Sequence, residues 1–310
     1  MVSKPKSNER AINIVPENLP DVMDSFLQYC RAAGHRPNTL ETYRRVLGSL
    51  IHFVSIEFGL ERICDVTSAH LREFFIQLQE AHNTGGVEVY YRPAHAMFAW
   101  YWREYEIGQR NPFETVKIKH ARITARTGIP LDHLERMIAA CRGPNRARDM
   151  AILYGLLDTC ARASEFCGIR MQDIDLATGR VLIRNGKADK SRYVRFGQKS
   201  MRLLRRYLKT RGQLYTGDPL FATDEGDSLN RNSLRLLVDR RADNAGVDRP
   251  GLHDFRRRGA YLLWKRTRDW KGVSEYLGHS NVVVTQRYVA VDDDDVLETH
   301  EAGSPVDNWL

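Results

Sequence analysis

The 310-residue sequence has no hydrophobic run long enough to span a bilayer, and residues 1–10 are polar, without the apolar core of a signal peptide. It contains only five cysteines, an odd number, and no C-x-x-C pair. These absences argue against a membrane protein, a secreted disulfide framework and a zinc ribbon. We therefore expect a cytoplasmic protein, nucleoid-associated if it binds DNA, with reduced and mostly buried thiols.

The short motifs of nucleotide and metal chemistry are also missing. The Gly186-Lys187 pair lacks the upstream glycine and the following Ser or Thr of a P-loop, and no H-E-x-x-H occurs. No constellation of acidic residues emerges of the kind that a metal-dependent transposase would use. The sequence therefore predicts no metal site and no cofactor.

Positive charge is in excess. Lys and Arg number 47 against 39 Asp and Glu, which gives a net charge of +8. This balance favours a polyanionic partner, because each phosphate neutralised by a basic side chain releases condensed counterions. Many basic proteins bind no nucleic acid, so charge alone does not decide the function.

The first part of the chain has helical periodicity. Apolar residues recur at three- and four-residue spacing over 40–54 and again over 71–78, with Thr67 or Ser68 as the N-cap of the second helix. A third, aromatic helix is predicted over 97–105. We expect residues 1–18 to be a flexible tail and residues 19–113 to form a helical domain.

Residues 114–130 lose this periodicity and gain positive charge, which is typical of a linker. The basic side chains are those of Lys117, Lys119, His120, Arg122 and Arg126. The segment is either a solvated connector or a strap laid against DNA phosphates.

Residues 131–310 are predicted to form a second, mostly helical domain with a small β-hairpin sheet. A helix is expected from Asp132, with Glu135 completing a capping-box variant. The runs 181–183 and 193–196 flank Asn185-Gly186, a strong hairpin-turn dipeptide. Further helices are predicted over 148–158, 201–209, 231–244, 254–266, 272–277 and 280–290.

Several residues of this second domain could bind or cleave a phosphodiester, whose transition state gains a second negative charge. Arginine is suited to hold that charge, because its fixed fork of donors cannot be reproduced by lysine. Arg162 follows an apolar helix, and Glu165 on the same helical face could hold it. For an isolated R-x-x-E pair, a structural ion pair is the simpler interpretation.

The other candidates are unremarkable one by one. His253 and Arg256 share a face at a helix start, where the dipole and free amides favour an anion, but such pairs usually mean surface charge. Lys187 follows a hairpin turn and His279 follows a helix stop, as many solvated residues do. Tyr288 is one of thirteen tyrosines.

The order and spacing of these residues resemble the tyrosine recombinase family, which includes phage integrases and Xer-type site-specific recombinases. The similarity covers about residues 20–290 and rests on four ordered boxes. These are the arginine box at 159–165, the lysine hairpin at 186–192, the H-x-x-R box at 253–256, and Leu277-Gly278-His279-Ser280 with Tyr288 nine residues after the histidine.

The resemblance implies a fold and an activity. It implies a SAM-like helical core-binding domain, a catalytic domain of the DNA breaking-rejoining fold, and site-specific recombination through a 3′-phosphotyrosyl intermediate without ATP or metal. The implied partner is a double-stranded recombination site, bound by a homotetramer on two sites, and the family's exchange of C-terminal segments between protomers is implied as well. The short N-terminal tail favours a simple Xer-like or mobile-element enzyme.

The resemblance also assigns roles to residues. Tyr288 is the implied nucleophile, His253 the base or proton relay, and Lys187 the acid for the departing 5′-oxygen. The implied ligands of the non-bridging oxygens are Arg162, Arg256 and His279, with Glu165 fixing Arg162 or His253 and Lys190 as a fallback acid. The predicted DNA-binding residues are Lys117, Lys119, Arg122, Arg126, Lys190, Arg192 and Arg257.

Some positions depart from the family pattern. Cys160 stands where glycine is usual, Phe255 replaces the common leucine, and Arg257 occupies a position often held by a second histidine. None removes a member of the catalytic set, so activity is expected. The alternatives are an inactive DNA-binding relative, a type IB topoisomerase-like enzyme, and a metal-dependent transposase.

Overall fold

The computed structural model describes residues 15–119, 128–184 and 191–279. The chain divides into two compact units, Met1–Arg122 and Ile123–Leu310. No helix within the three described stretches combines the length and apolar character needed to cross a membrane. The predicted boundaries at residues 18, 113 and 130 stay predictions.

Within residues 15–119, the first unit is a bundle of four helices around an aromatic-rich core. Its buried members include Phe74, Phe98 and Tyr101, and ring contacts such as Phe98–Phe113, with centroids 5.0 Å apart, join the helices to a short 3-10 turn at Pro112–Thr115. The helices are α1 (Leu19–Ala32), α2 (Pro37–Phe58), α3 (Ser68–Ala81) and α4 (Thr84–Glu104). Thr67 caps α3, as one of the two sequence alternatives predicted.

The start of one helix differs from the sequence-based prediction. Helix α4 starts thirteen residues before the predicted 97, because Asn83 caps it and Pro93 is accepted inside the helix in a buried position. Before α1, Glu17 O accepts a hydrogen bond from Ile63 N at 2.9 Å, and Asn18 bridges to Arg62.

The second unit contains a two-stranded antiparallel hairpin and seven helices within its described part. Strand β1 (Arg180–Ile183) pairs with β2 (Arg192–Arg195) in the register Val181–Val194, close to the predicted hairpin. The helices are α5 (Leu131–Ala139), α6 (Arg146–Thr159), α7 (Ala163–Cys167), α8 (Gln198–Thr210), α9 (Arg231–Ala245), α10 (Leu252–Thr267) and α11 (Trp270–Leu277).

Helix α6 is the centre of this unit and packs against both α8 and α10. It is apolar on several faces, and Gly155 allows close contact, since a Cβ there would lie 2.6 Å from the ring of Phe196. The packing is therefore tight around the helix that leads directly into the Arg162 box.

Some predictions need correction or fall outside the described residues. The capping box at Asp132 is wrong, since α5 begins at Leu131 with Pro130 as its N-cap residue. The predicted helix over 280–290 lies outside the described residues. So do Arg122, Arg126, Lys187, Lys190 and Tyr288.

Candidate active site

A sharp turn between α6 and α7 presents Arg162. Cys160 ends α6 with φ +48°, in the left-handed region, and Arg162 is the N-cap residue of α7. A non-glycine residue in that region costs about 1–2 kcal/mol, which explains why glycine is the expected residue there. The thiol of Cys160 is fully buried and donates to Leu157 O at 3.2 Å.

Glu165 holds Arg162, as the sequence predicts. Its carboxylate accepts hydrogen bonds from the backbone N of Arg162 at 2.9 Å and from Nη1 at 2.8 Å. Burial favours the neutral acid, but hydrogen bonds from Arg192 and Arg162 outweigh it and lower the pKa of Glu165 to about 2. Glu165 is therefore an anion at neutral pH, shared between two arginines.

The second of these arginines is Arg192, which is buried and whose predicted contact with DNA stays a prediction. Its side chain is 8% exposed. Nη1 and Nη2 bind Glu165 at 3.2 and 2.8 Å, and Nε donates to Tyr276 O at 2.9 Å. All three nitrogens of the guanidinium thus have protein partners.

Arg256 makes hydrogen bonds to two separate segments of the second unit. It is fully buried, with Nη1 donating to Cys160 O at 2.7 Å and Nη2 donating to Leu277 O at 2.8 Å. Its Nη2 also lies 2.9 Å from His279 Nε2. The structure therefore joins the arginine box, the H-x-x-R box and the terminal histidine box through one side chain. A role of Arg256 as a phosphate ligand stays a prediction.

The contact with Arg256 fixes the protonation of His279. Guanidinium can only donate, so His279 Nε2 accepts and the ring proton of the neutral form lies on Nδ1. Burial, followed by the charges of Arg256, Arg162 and Arg192, lowers the pKa of His279 to about 4. His279 is thus neutral at pH 7, with Nδ1–H as its donor.

His253 lies in the first turn of α10. Desolvation, followed by the charges of Arg257, Arg256 and Arg162, lowers its pKa to about 4, and Asp254 opposes this shift. A neutral imidazole can accept a proton, as a general base must. A phosphate bound beside it would raise this pKa and make proton transfer more favourable.

Three further residues that were predicted to contact DNA lie within the described residues. Arg257 pairs with Asp254 at 2.8 Å and is 27% exposed, and Lys117 and Lys119 are exposed in the first unit. Their contacts with DNA stay predictions. Within residues 15–119, 128–184 and 191–279, no group of three or more His, Cys, Asp or Glu is placed to hold a metal ion.

The low histidine pKa values predict a pH-dependent stability. A histidine whose folded pKa lies below its unfolded value of about 6.5 destabilises the fold as pH falls from about 6.5 to 4, because only the unfolded chain takes up the proton there. We expect the free energy of unfolding, from urea titrations, to fall more steeply with decreasing pH in the wild type than in His279→Gln across this window. The difference between the two slopes should correspond to an uptake approaching one proton on unfolding. Equal pH slopes in the two proteins would contradict the assignment.

Residues 129–295 match the phage integrase family. The tyrosine recombinase XerC of Pelobacter propionicus is 30% identical over 280 residues, which cover 87% of this chain and 90% of that protein. XerC of Herpetosiphon aurantiacus is 28% identical over 288 residues, covering 90% and 94%.

Solved structures show the same fold. The XerH site-specific recombinase bound to palindromic difH substrate, in a post-cleavage complex, matches with a TM-score of 0.70 and 22% identity, covering 92% of this chain and 84% of that one. A lambda integrase tetramer bound to a Holliday junction matches with a TM-score of 0.72 and 15% identity, covering 88% and 77%.

Proposed function

The chain belongs to the phage integrase family and is an Xer-like tyrosine recombinase, and we propose that it cleaves and rejoins duplex DNA through Tyr288. The observation that carries the proposal is the linked site in the second unit. There, Arg256 contacts Cys160 O in the turn before Arg162, Leu277 O at the end of α11 and the ring of His279. The charges of Arg162 and Arg256 both act on His253 and His279. Three separate sequence boxes thus share one electrostatic environment.

The proposed cleavage step is a transesterification. The Tyr288 oxygen attacks the scissile phosphorus, a 3′-phosphotyrosyl bond forms, and the bond to the 5′-oxygen breaks. His253 takes the phenol proton, and Lys187 gives a proton to the leaving oxygen. The phenol has a pKa of about 10 and so needs this help at neutral pH.

The cationic side chains stabilise the charge of the transition state. Arg162, with 40% of its side chain exposed, presents an accessible guanidinium beside Glu165. In this proposal Arg256 and the Nδ1–H of His279 are the other donors to the non-bridging oxygens. The phosphotyrosyl bond keeps the energy of the phosphodiester, so rejoining by a 5′-hydroxyl requires no ATP.

The proposed partner is a double-stranded recombination site, bound in the cytoplasm. The XerH and lambda integrase neighbours were each solved on DNA, and the latter is a tetramer. Their shared fold supports a homotetramer on two sites, and the net charge of +8 supports binding to a polyanion. Exchange of C-terminal segments between protomers is part of the same proposal. Lys117, Lys119 and Arg257 are the described candidates for phosphate contacts.

Capture of covalent complexes tests this function. The protein is incubated in EDTA, without ATP, with nicked duplexes whose central segment is randomised. A nick beside the cleavage site lets the short 5′-hydroxyl fragment diffuse away, so the adduct persists. We expect denaturation-resistant adducts carrying one recurring DNA sequence, which then supports strand exchange between two duplexes.

Each alternative gives a different result in this experiment. DNA binding without adducts would identify an inactive relative. Adducts accompanied by plasmid relaxation, without exchange between duplexes, would identify a topoisomerase-like enzyme. Dependence of cleavage on Mg²⁺ would contradict the tyrosine mechanism.

A further inference from the structure

Arg192 connects three segments of the site. Strand β2 carries it, its fork binds Glu165 near the start of α7, and its Nε binds Tyr276 O near the end of α11. A Cβ added to Gly278 would lie 3.0 Å from the Cδ of Arg192. Gly278 has φ +69°, so both its conformation and its close approach to Arg192 favour glycine immediately before His279.

We propose that Arg192 is a positioning residue for DNA cleavage, which orients Arg162 through Glu165 and holds the segment that carries His279. The proposal rests on the proposed function of this site. Arg192 also begins the strand that follows the Lys187 segment, so one side chain ties that strand to both anion-binding parts of the site.

The sharing of one carboxylate supports this role. Glu165 Oε1 accepts from Nη1 of both arginines, and Oε2 accepts from the Arg162 backbone and from Arg192 Nη2. Arg192 therefore neutralises the buried anion from the interior, where its side chain is 8% exposed against 40% for Arg162. Without Arg192, Arg162 would be the remaining cationic partner of Glu165 among the described residues, and the accessible guanidinium would be drawn toward the carboxylate.

Arginine is required at this position by geometry. Two parallel hydrogen bonds to a carboxylate, together with a third to a carbonyl at the side, match the planar fork of a guanidinium. Lysine carries the same charge on a single compact head and cannot make the three contacts at once.

The test separates DNA affinity from the rate of cleavage. Arg192→Gln and Arg192→Lys are measured for Kd and for single-turnover adduct formation at saturating protein on the DNA that the wild type cleaves. We expect rates lower by about 100-fold, the loss typical of a displacement of about 1 Å, and Kd values within about threefold of wild type. Arg195→Gln, on the exposed face of the same strand, is the matched control and should cleave normally.

A double-mutant cycle tests whether Arg192 acts through Glu165. We expect Arg192→Gln with Glu165→Gln to be little slower than the slower single variant, because both disturb one contact. The proposal would be overturned if the double variant lost rate by the product of the two single losses, or if a folded Arg192→Lys cleaved at the wild-type rate. A higher Kd for DNA with an unchanged cleavage rate would overturn it as well. If Arg192→Gln does not fold, Arg192→Lys decides alone. Absence of adducts with the wild type would instead refute the proposed function.

Discussion

Tyr288→Phe is expected to form no detectable covalent adduct with DNA while binding DNA with wild-type affinity. The substitution removes only the nucleophilic oxygen and keeps the aromatic ring. Adducts are measured on denaturing gels with the nicked substrate in EDTA, and affinity is measured by titration of the same duplex. The expected loss of covalent product is complete, because no second group in the proposed mechanism can form the phosphotyrosyl bond.

Tyr276→Phe is the matched control. Its hydroxyl donates to Asp158 O at 2.9 Å and accepts from Arg195 N at 3.1 Å, and burial raises its pKa. These contacts give the Tyr276 hydroxyl a structural role, so the variant should lose stability but still form adducts. Adducts with Tyr288→Phe would move the nucleophile elsewhere, and their loss in a folded Tyr276→Phe would contradict the structural role.

Much of this architecture was predictable from local patterns. The hairpin pairing agrees with the β-type runs on either side of Asn185-Gly186, because a tight turn sets the register of its strands. The pairing of Arg162 with Glu165 followed from their three-residue spacing at a helix start. The resemblance to tyrosine recombinases was confirmed by the family match over residues 129–295.

The errors arose where tertiary packing outweighed local propensity. Pro93 suggests a helix break, yet it lies buried inside α4. The burial of Arg192 was not predicted, although the alternation of a strand places it on the same buried face as Val194. That periodicity was the available signal. Its partners at Glu165 and Tyr276 are 27 and 84 residues away in sequence, and no local pattern reveals such contacts.

Arg256→Ala is expected to damage both folding and cleavage. It removes the donors to two buried carbonyl groups, Cys160 O and Leu277 O. Each unsatisfied buried group costs about 1–3 kcal/mol, so the free energy of unfolding should fall by about 2–6 kcal/mol. Loss of a transition-state donor should slow adduct formation by about 10²–10³-fold under conditions where the variant is folded. Urea titration and single-turnover cleavage measure the two effects.

The conservative variant separates charge from geometry. Arg256→Lys keeps the positive charge, but one ammonium cannot reach both carbonyl groups and His279 Nε2 in the same arrangement. We expect slow cleavage in this variant as well. In Arg256→Ala the pKa of His279, followed by NMR, should rise toward its ordinary value, because a positive charge beside the ring is gone.

Arg266→Lys is the matched control, since Arg266 lies exposed near the end of the same helix α10. It should unfold and cleave like the wild type. Wild-type cleavage by Arg256→Lys would show that charge alone is sufficient at this position. An unchanged pKa of His279 in Arg256→Ala would show that the 2.9 Å contact does not set the protonation of that ring. Either result would mean that the contacts of Arg256 do not couple the functions of the three boxes that it joins in this structure.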